Sequence, residues 1–299
     1  MMRQLFLFLS TQKGMRKWME TSPVAQKLTR RFVAGETLDD ELAVCARLAK
    51  YKTFSTLDHL GENVTSLAEA EASRDAYLQA LDEIEKRGLP CTVSLKLTQF
   101  GLDFSTDACF ENVRALSARA SAIGTRIEID MESTEYTDRT LEIVEKLGSA
   151  RAVIQAYLYR SAADIERLNS LKIPVRLCKG AYNEPASVAI PKKRDVDQNF
   201  LKLMKILMDK GTYPAIASHD ETILGEAFRY ARERKIPAEN FEFQMLYGIR
   251  NDLQQRIIDL GYRLRVYVPY GAAWYPYFMR RLAERPANAL FLAKNVFKS

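Results

Sequence analysis

The sequence predicts an α/β protein, a distorted (β/α)8 barrel of the TIM type with extra helices at its N-terminus. Eight short runs rich in β-branched and aromatic residues alternate with longer segments of helical periodicity. Such alternation is typical of parallel strands joined by right-handed crossovers, and eight units are the number that closes a barrel. An open doubly wound sheet is the alternative, but no GxGxxG or GxxxxGKS/T motif follows any of the runs.

The elements follow in a regular order after an N-terminal helical extension, which is predicted over residues 1–50. The barrel is predicted over residues 51–299, with the strands KTFSTLDHL (52–60), CTVSLKL (91–97), TRIEIDM (125–131), RAVIQAY (151–157), PVRLCKG (174–180), YPAIAS (213–218), FEFQM (241–245) and RLRVYVP (263–269). Helical segments between them include NVTSLAEAEASRDAYLQALDEIEKRG (63–88) and DETILGEAFRYARERK (220–235), where apolar residues recur at helical spacing. A last helix, WYPYFMRRLAERPAN (274–288), is expected to lie over the active site.

Composition and charge exclude several classes of protein. The net charge of +6 is modest for 299 residues and is spread along the chain, and no zinc-finger spacing, RNP motif or basic arm supports binding of nucleic acid. Two histidines are too few for a metal-dependent hydrolase cluster, so no metal is predicted. The four cysteines lack CxxC spacing, which favours a reducing, cytoplasmic compartment. They are Cys45, Cys91, Cys109 and Cys178.

Polar residues stand at the ends of all eight predicted strands. A barrel of this kind places its site at the C-terminal mouth of the strands. One polar residue there usually meets solvent or caps the next helix, but ionisable residues inside β-rich runs must be paired or lose their charge. As a set they therefore predict a site. The set is Asp58, Glu62, Lys96, Asp130, Glu132, Gln155, Tyr157, Arg176, Lys179, Ser218, His219, Gln244, Tyr267 and Tyr270.

Three cations are candidates to bind a carboxylate. Lys96 lies between two leucines and points opposite to them, so it needs an anionic partner in the barrel or its mouth. Arg280 and Arg281 are about 100° apart on the last helix. They form either a structural salt-bridged pair or, together with Lys96, a clamp for a carboxylate.

Two other functions remain open on the residues alone. A strand-borne lysine in a barrel also suggests a class I aldolase-like enzyme, with Lys96 or Lys179 as the Schiff-base nucleophile. The positive charge also fits a non-enzymatic protein that binds an anionic membrane surface.

Eight blocks of sequence stand in order between Thr53 and Asn288. They are LGE (60–62), SLKLTQFGL (94–102), RIEIDMEST (126–134), VIQAYLYR (153–160), VRLCKGAYNEP (175–185), ASHD (217–220), FEFQMLYGIR (241–250) and YVPYGAAWYPYFMRRLAERPAN (267–288). Together they resemble the proline dehydrogenase family, in its monofunctional bacterial form and as the corresponding domain of the bifunctional PutA enzymes. The resemblance implies a distorted barrel that holds FAD noncovalently and oxidises L-proline to Δ1-pyrroline-5-carboxylate by hydride transfer, the first step of proline catabolism to glutamate.

The resemblance also implies roles for individual residues. The implied catalytic residues are Arg176, Asp130 and Tyr267. The implied substrate-binding residues are Lys96, Arg280, Arg281, Tyr182, Leu246, Ala181 and Glu62, with Glu62 and Arg280 paired as a gate. The implied cofactor-binding residues are Gln155, Arg176, Lys179, Gly180, Ala181, Lys193, Ser218, His219, Gln244 and Glu284. A cation beside the flavin would stabilise the negative charge that grows there on reduction.

Partners are implied by the same resemblance. Electrons would pass to a membrane quinone, and the product would go to a separate pyrroline-5-carboxylate dehydrogenase. A cytoplasmic location with peripheral contact to the inner face of the cell membrane fits a quinone acceptor. The aromatic stretch WYPYF (274–278) is a candidate for that contact, and packing of these aromatics onto the barrel is the stronger alternative. Lys193 lies in a KKR run that reads as a solvated loop, so its contact with phosphates is the weaker interpretation.

Overall fold

Eight parallel strands form a closed barrel in the structure, a computed structural model that describes residues 30–61, 64–275 and 277–279. The strands are β1 (Phe54–His59), β2 (Cys91–Leu95), β3 (Ile127–Ile129), β4 (Arg151–Gln155), β5 (Val175–Cys178), β6 (Ala215–Ala217), β7 (Glu242–Leu246) and β8 (Leu264–Tyr270). Each strand pairs with the next, and β8 pairs with β1 from Phe54 opposite Arg265 to His59 opposite Tyr270. This last pairing closes the barrel and confirms the predicted fold class over the open sheet.

Helices follow the strands as predicted. They are α1 (Leu38–Ala49), which precedes β1, and then α2 (Leu67–Lys86), α3 (Thr106–Ala122), α4 (Thr137–Leu147), α5 (Ser161–Ser170), α6 (Lys193–Lys210), α7 (Glu221–Glu233) and α8 (Asn251–Asp259). Local sequence sets their ends: Thr37 and Asp40 form a capping box at the start of α1, and Gly148 ends α4 in the left-handed conformation. Residues 274–275 and 277–279 are also helical. Of the predicted N-terminal extension, residues 1–29 lie outside the described residues.

Apolar residues of the strands and helices form the main core between the barrel and the surrounding helices. Ile127 and Ile129 of β3 are fully buried in it, together with Leu81 of α2 and Val113 of α3. Glu128 stands between those two isoleucines, and alternate residues of a strand point to opposite faces. The interior of this barrel is therefore polar at β3, where barrels of this type usually carry branched apolar residues.

A second apolar cluster joins the first described residues of the chain to the last. Phe32 and Val33 pack with Trp274, Tyr275 and Phe278, all of them buried. The ring centroids of Phe32 and Phe278 are 5.9 Å apart. The described aromatics of WYPYF are thus buried, which confirms that they pack onto the protein. Within residues 30–61, 64–275 and 277–279, no helix has both the length and the apolar character needed to cross a membrane.

Candidate active site

Arg176 lies at the centre of the predicted site. It belongs to β5, is 5% exposed, and has partners on both terminal nitrogens of its guanidinium. One nitrogen lies 3.1 Å from Glu128 Oε2 and donates to Gln244 Oε1 at 3.2 Å. The other donates to Ser94 Oγ at 3.1 Å and to Asp130. Acceptors from strands β2, β3 and β7 therefore hold this guanidinium in one orientation.

Tyr267 and Lys96 complete the cluster around Asp130. The Tyr267 hydroxyl donates to Asp130 Oδ2 at 2.9 Å, and Arg176 Cζ lies 5.4 Å from the centroid of the Tyr267 ring. Lys96 Nζ lies 3.6 Å from Asp130 Oδ2 and 3.8 Å from Asp58 Oδ1. Asp58 and Asp130 are therefore the anionic partners that were predicted for Lys96. The structure also brings the three predicted catalytic residues and one predicted substrate-binding residue into a single contact network.

The phenol of Tyr267 is held in its neutral form. Burial raises its pKa well above the usual value, and the negative charge of Asp58 raises it further. The opposing effect of Arg176 is smaller than that of burial. Tyr267 therefore remains a hydrogen-bond donor to Asp130 throughout the neutral pH range.

A layer of buried ion pairs lies directly against Arg176, and the sequence reasoning missed it. Arg151 donates to Glu242 Oε1 at 2.5 Å and to Glu128 Oε1 at 3.1 Å, and Arg265 Nε donates to Glu242 Oε1 at 2.9 Å. These four residues belong to β3, β4, β7 and β8, so they meet inside the barrel. Three of the four residues, Glu128, Glu242 and Arg265, could have been predicted from the sequence. Polar residues occupy every second position in RIEID, FEFQ and RLRVY, which places them on one face of each strand.

The two glutamates of this layer are ionised. Burial by itself would raise the pKa of Glu242, but the guanidiniums of Arg265 and Arg151 outweigh it and hold that pKa below the ordinary value. Burial likewise acts to raise the pKa of Glu128, and Arg151, Arg176 and Arg265 together lower it. The layer therefore presents Arg176 with fixed negative charge.

A second group of charges lies beyond the ends of β5 and β6. Lys179 Nζ lies 2.5 Å from Asp197 Oδ1 and 2.9 Å from Asp220 Oδ2, and Lys193 Nζ lies 2.5 Å from Asp197 Oδ2. Burial acts to raise the pKa of both aspartates, but hydrogen bonds and charge from the lysines lower it. Lys193 is the first residue of α6, so the interpretation of the KKR run as a loop was wrong. Its side chain is 77% exposed, which agrees with the solvated position expected for it.

Three further predicted residues have defined partners at the mouth. His219 Nε2 accepts from the main-chain N–H of Leu246 at 2.8 Å, which places the proton of the neutral ring on Nδ1. Ser218 Oγ accepts the main-chain N–H two residues further on, at 3.1 Å. The Gln155 amide donates to a main-chain oxygen after β3 at 3.0 Å. These contacts fix the side chains at the ends of β4 and β6.

The loop after β5 carries the remaining predicted residues Gly180, Ala181 and Tyr182. Gly180 has φ +106°, and a Cβ there would lie 2.2 Å from the ring of Tyr157, so this position requires glycine. The Glu184 carboxylate accepts from the main-chain N–H of Thr134 at 2.7 Å and from its hydroxyl at 2.6 Å. The loop is thereby tied to the loop after β3.

Four predicted site residues fall outside the described residues. They are Glu62, Arg280, Arg281 and Glu284. The arginine clamp and its gate therefore stay predictions.

Comparison with known proteins identifies the family. The family model for proline dehydrogenase matches residues 42–294. The chain belongs to the proline dehydrogenase family. Proline dehydrogenase 1 of Bacillus subtilis (strain 168) is 43% identical over 305 aligned residues that cover 100% of both chains. Proline dehydrogenase of Deinococcus radiodurans is 39% identical over 280 residues, which cover 91% of this chain and 90% of that protein.

A solved structure agrees with this membership of the proline dehydrogenase family. The crystal structure of proline utilization A from Bdellovibrio bacteriovorus inactivated by N-propargylglycine matches with a TM-score of 0.82 and 27% identity. The match covers 94% of this chain and 36% of that one, so the chain spans about a third of the length of that PutA.

Family membership decides between the functions that the residues alone left open. The protein is an enzyme that oxidises proline. The non-enzymatic alternative is therefore wrong, and so is the Schiff-base aldolase. The structure is consistent with the second conclusion, because Lys96 and Lys179 each lie within 4.0 Å of two carboxylates. Lysine nucleophiles are instead activated by an apolar pocket or a neighbouring cation.

Proposed function

We propose that this enzyme oxidises L-proline to Δ1-pyrroline-5-carboxylate with FAD as the hydride acceptor and a quinone as the final electron acceptor. The observation that carries the proposal is the network of Arg176, Asp130, Tyr267 and Lys96 at the mouth of a barrel of the proline dehydrogenase family. This network combines fixed positive charge, a neutral donor and an aromatic wall. Its lysine is ion-paired with Asp130 and Asp58, a setting that does not suit a lysine nucleophile.

The donors at the ends of β4 to β6 suit a flavin dinucleotide. Lys179 and Lys193 lie side by side on shared aspartates and offer cations to a pyrophosphate. The residues that would hold the cofactor are Gln155, Arg176, Lys179, Gly180, Ala181, Lys193, Ser218, His219, Gln244 and Glu284. When bound, FAD supplies a two-electron acceptor for the hydride from proline.

Arg176 has the properties needed beside such an acceptor. Its guanidinium is buried, and its hydrogen bonds to Gln244, Ser94 and Asp130 are already made. A preorganised charge of this kind stabilises negative charge that develops during reaction, because no reorganisation is required at that moment. Gln244 also donates to Glu128 and Glu242, so it holds Arg176 whether or not it contacts the cofactor itself.

The substrate is proposed to bind on the side of Asp130 that faces Lys96, away from Arg176. The Lys96 ammonium, together with Arg280 and Arg281, would bind the proline carboxylate. The residues that would pack around the ring are Tyr182, Leu246, Tyr267 and Ala181. Glu62 would close the site by pairing with Arg280. Taking hydride from the carbon next to nitrogen requires this carbon to face the acceptor, so positioning is the main task of the protein.

An absorbance spectrum under anaerobic conditions tests the proposal. The purified protein should show an oxidised flavin band, and addition of L-proline should bleach it. Reaction with N-propargylglycine, which inactivated the Bdellovibrio PutA, should then abolish bleaching by proline. A colourless protein, or a flavin band that proline leaves unchanged, would contradict the proposed function.

The clamp is tested separately by Arg281→Met. We expect KM for proline to rise by much more than the flavin content changes, since the side chain is assigned to the carboxylate. Arg256→Met, which removes an exposed arginine of α8, is the control and should leave KM unchanged. Normal proline affinity in Arg281→Met would remove the clamp assignment.

The electron acceptor and the next enzyme are also proposals. The reduced enzyme should be reoxidised by a soluble quinone faster than by a mock addition, with a separate pyrroline-5-carboxylate dehydrogenase consuming the product. We further propose a cytoplasmic enzyme with peripheral contact to the inner face of the cell membrane. Cosedimentation with anionic lipid vesicles tests that contact. A protein that stays in the supernatant would contradict the membrane contact, and electrons would then have to pass to a quinone that diffuses to the enzyme.

A further inference from the structure

We propose that Asp58 binds the amine of proline and thereby fixes the ring nitrogen, an inference that rests on the proposed function of this site. Asp58 lies near the C-terminal end of β1 and is 2% exposed. Its Oδ1 lies 3.8 Å from Lys96 Nζ. Its Oδ2 is buried and has no hydrogen-bond partner among residues 30–61, 64–275 and 277–279.

Asp130 also lies within 4.0 Å of Lys96, but its carboxylate differs from that of Asp58 in its hydrogen bonds. Its Oδ1 accepts from Ser94 Oγ and Arg176, and its Oδ2 accepts from the Tyr267 hydroxyl and lies 3.6 Å from Lys96 Nζ. Both oxygens of Asp130 are therefore engaged before any substrate arrives. Leaving a buried carboxylate oxygen unpaired is costly, so Asp58 Oδ2 has unused capacity for a donor that a ligand would bring.

The surroundings of Asp58 favour a cationic donor. Its negative charge helps to raise the pKa of Tyr267, Tyr77 and Tyr270, although burial is the larger cause for each phenol. Lys96 is its counter-charge within 4.0 Å in the described part of the chain. A secondary ammonium would supply both the missing hydrogen bond and positive charge.

The shape of an α-amino acid connects Asp58 to Lys96. The amine and the carboxylate of proline are attached to the same carbon atom, so a ligand whose carboxylate meets Lys96 must place its nitrogen near a neighbour of Lys96. Asp58 is such a neighbour. Its main chain is held in register opposite Ser94 of β2 and Pro269 of β8, which fixes where the carboxylate can lie.

Two ligands that differ only at the nitrogen test the assignment. Cyclopentanecarboxylate has the ring and the carboxylate of proline but a methylene in place of the amine. In Asp58→Asn, the dissociation constant of proline, taken from the concentration dependence of anaerobic flavin reduction, should rise by about tenfold or more. The dissociation constant of cyclopentanecarboxylate, measured by calorimetry, should change by less than about twofold.

Glu132→Gln is the matched control. Glu132 is a buried carboxylate at the same mouth, and its two oxygens accept from the main-chain N–H and the hydroxyl of Thr98. Its substitution should leave the ratio of the two dissociation constants unchanged. Equal weakening of both ligands in Asp58→Asn, or of neither, would overturn the proposal.

The wild-type enzyme keeps the proposal testable should Asp58→Asn fail to fold. There, cyclopentanecarboxylate should bind about tenfold or more weakly than proline, because it leaves Asp58 Oδ2 unpaired. Equal affinity would overturn the role of Asp58. A wild-type enzyme that proline does not bleach would instead end the proposed function, so the two failures are distinguishable.

Discussion

At the scale of single residues, Tyr267 contributes to the site in two separable ways. Its hydroxyl donates to Asp130, and its ring lies against the guanidinium of Arg176. Tyr267→Phe keeps the ring and removes the hydroxyl. We expect the rate of proline-dependent flavin reduction to fall by about tenfold, the equivalent of one hydrogen bond to a charged acceptor. Stopped-flow absorbance measures this rate.

Tyr270→Phe is the control for that loss. The Tyr270 ring stacks on His59 at 4.8 Å, and no contact joins it to Asp130 or Arg176 among the described residues. Its hydroxyl should therefore be dispensable for flavin reduction. Equal effects of the two substitutions would show that the hydroxyl of Tyr267 has no specific role.

Glu242 links the buried layer to the dependence of stability on pH. Its pKa is depressed in the folded protein by Arg265 and Arg151 against the opposing effect of burial, so its ionised form stabilises the fold. That contribution is complete above the unfolded pKa of about 4.3 and is lost as pH falls from there toward the folded value. The free energy of unfolding should therefore decline on acidification below about pH 5.

Glu242→Gln tests this origin of the acid sensitivity. At pH 7 the variant should lose about 3 to 5 kcal/mol, because two buried guanidiniums lose a charged partner. Its free energy of unfolding, measured by urea titration from pH 7 to pH 3, should decline less steeply than that of the wild type. Glu166→Gln, on the exposed side of α5, should change it by less than about 0.5 kcal/mol. Parallel curves for Glu242→Gln and the wild type would contradict this account.

At the scale of elements, the strands were predictable because each β-rich run is bounded by turn residues and spaced by a helical segment. Closure was predictable from their number. The positions of Asp130, Arg176 and Lys96 at the mouth follow from the same reasoning, since they stand at strand ends. The contacts of Glu128 and Arg151 were not predictable, because which inward residues meet across a barrel depends on the stagger of the strands and not on local sequence.

The loop after β5 gives an element-scale prediction. Gly180→Ala introduces a Cβ at a φ of +106° and 2.2 Å from the ring of Tyr157, so strain and overpacking add. We expect a loss of about 3 kcal/mol in the free energy of unfolding. Gly148→Ala, at a φ of +66° with nothing within 4 Å, isolates the backbone effect and should cost about 1 kcal/mol. If urea titrations gave equal losses in free energy of unfolding for the two variants, the ring of Tyr157 would be able to move aside without destabilising the fold.

At the scale of the whole molecule, the described ends of the chain are joined beside the mouth of the barrel. The main-chain N–H of Ala34 donates to Pro269 at 2.9 Å, and that of Gly271 donates to Gly35 at 3.0 Å. Phe32 packs against Phe278 in the same region. A segment that precedes the barrel therefore braces the start of the helix that follows β8. Sequence could not show this contact, since it joins residues more than 200 positions apart.

Substitution of Gly248 should disrupt this contact between the segment around Phe32 and the residues that follow β8. A Cβ there would lie 1.8 Å from the main-chain oxygen of Arg31, at a φ of +71°, so Gly248→Ala should displace the segment around Phe32. Trp274, 4% exposed in the same cluster, should then meet water, and its fluorescence emission should shift to the red in a Trp18→Phe background. Gly261→Ala, at a φ of +80° with nothing within 4 Å, is the control and should leave the emission unchanged. The cluster also contacts Leu246 at the end of β7, which is proposed to pack against the proline ring. Displacement of the segment around Phe32 should therefore weaken proline binding as well. An unshifted emission in Gly248→Ala would mean that Arg31 moves aside without disturbing the aromatic cluster.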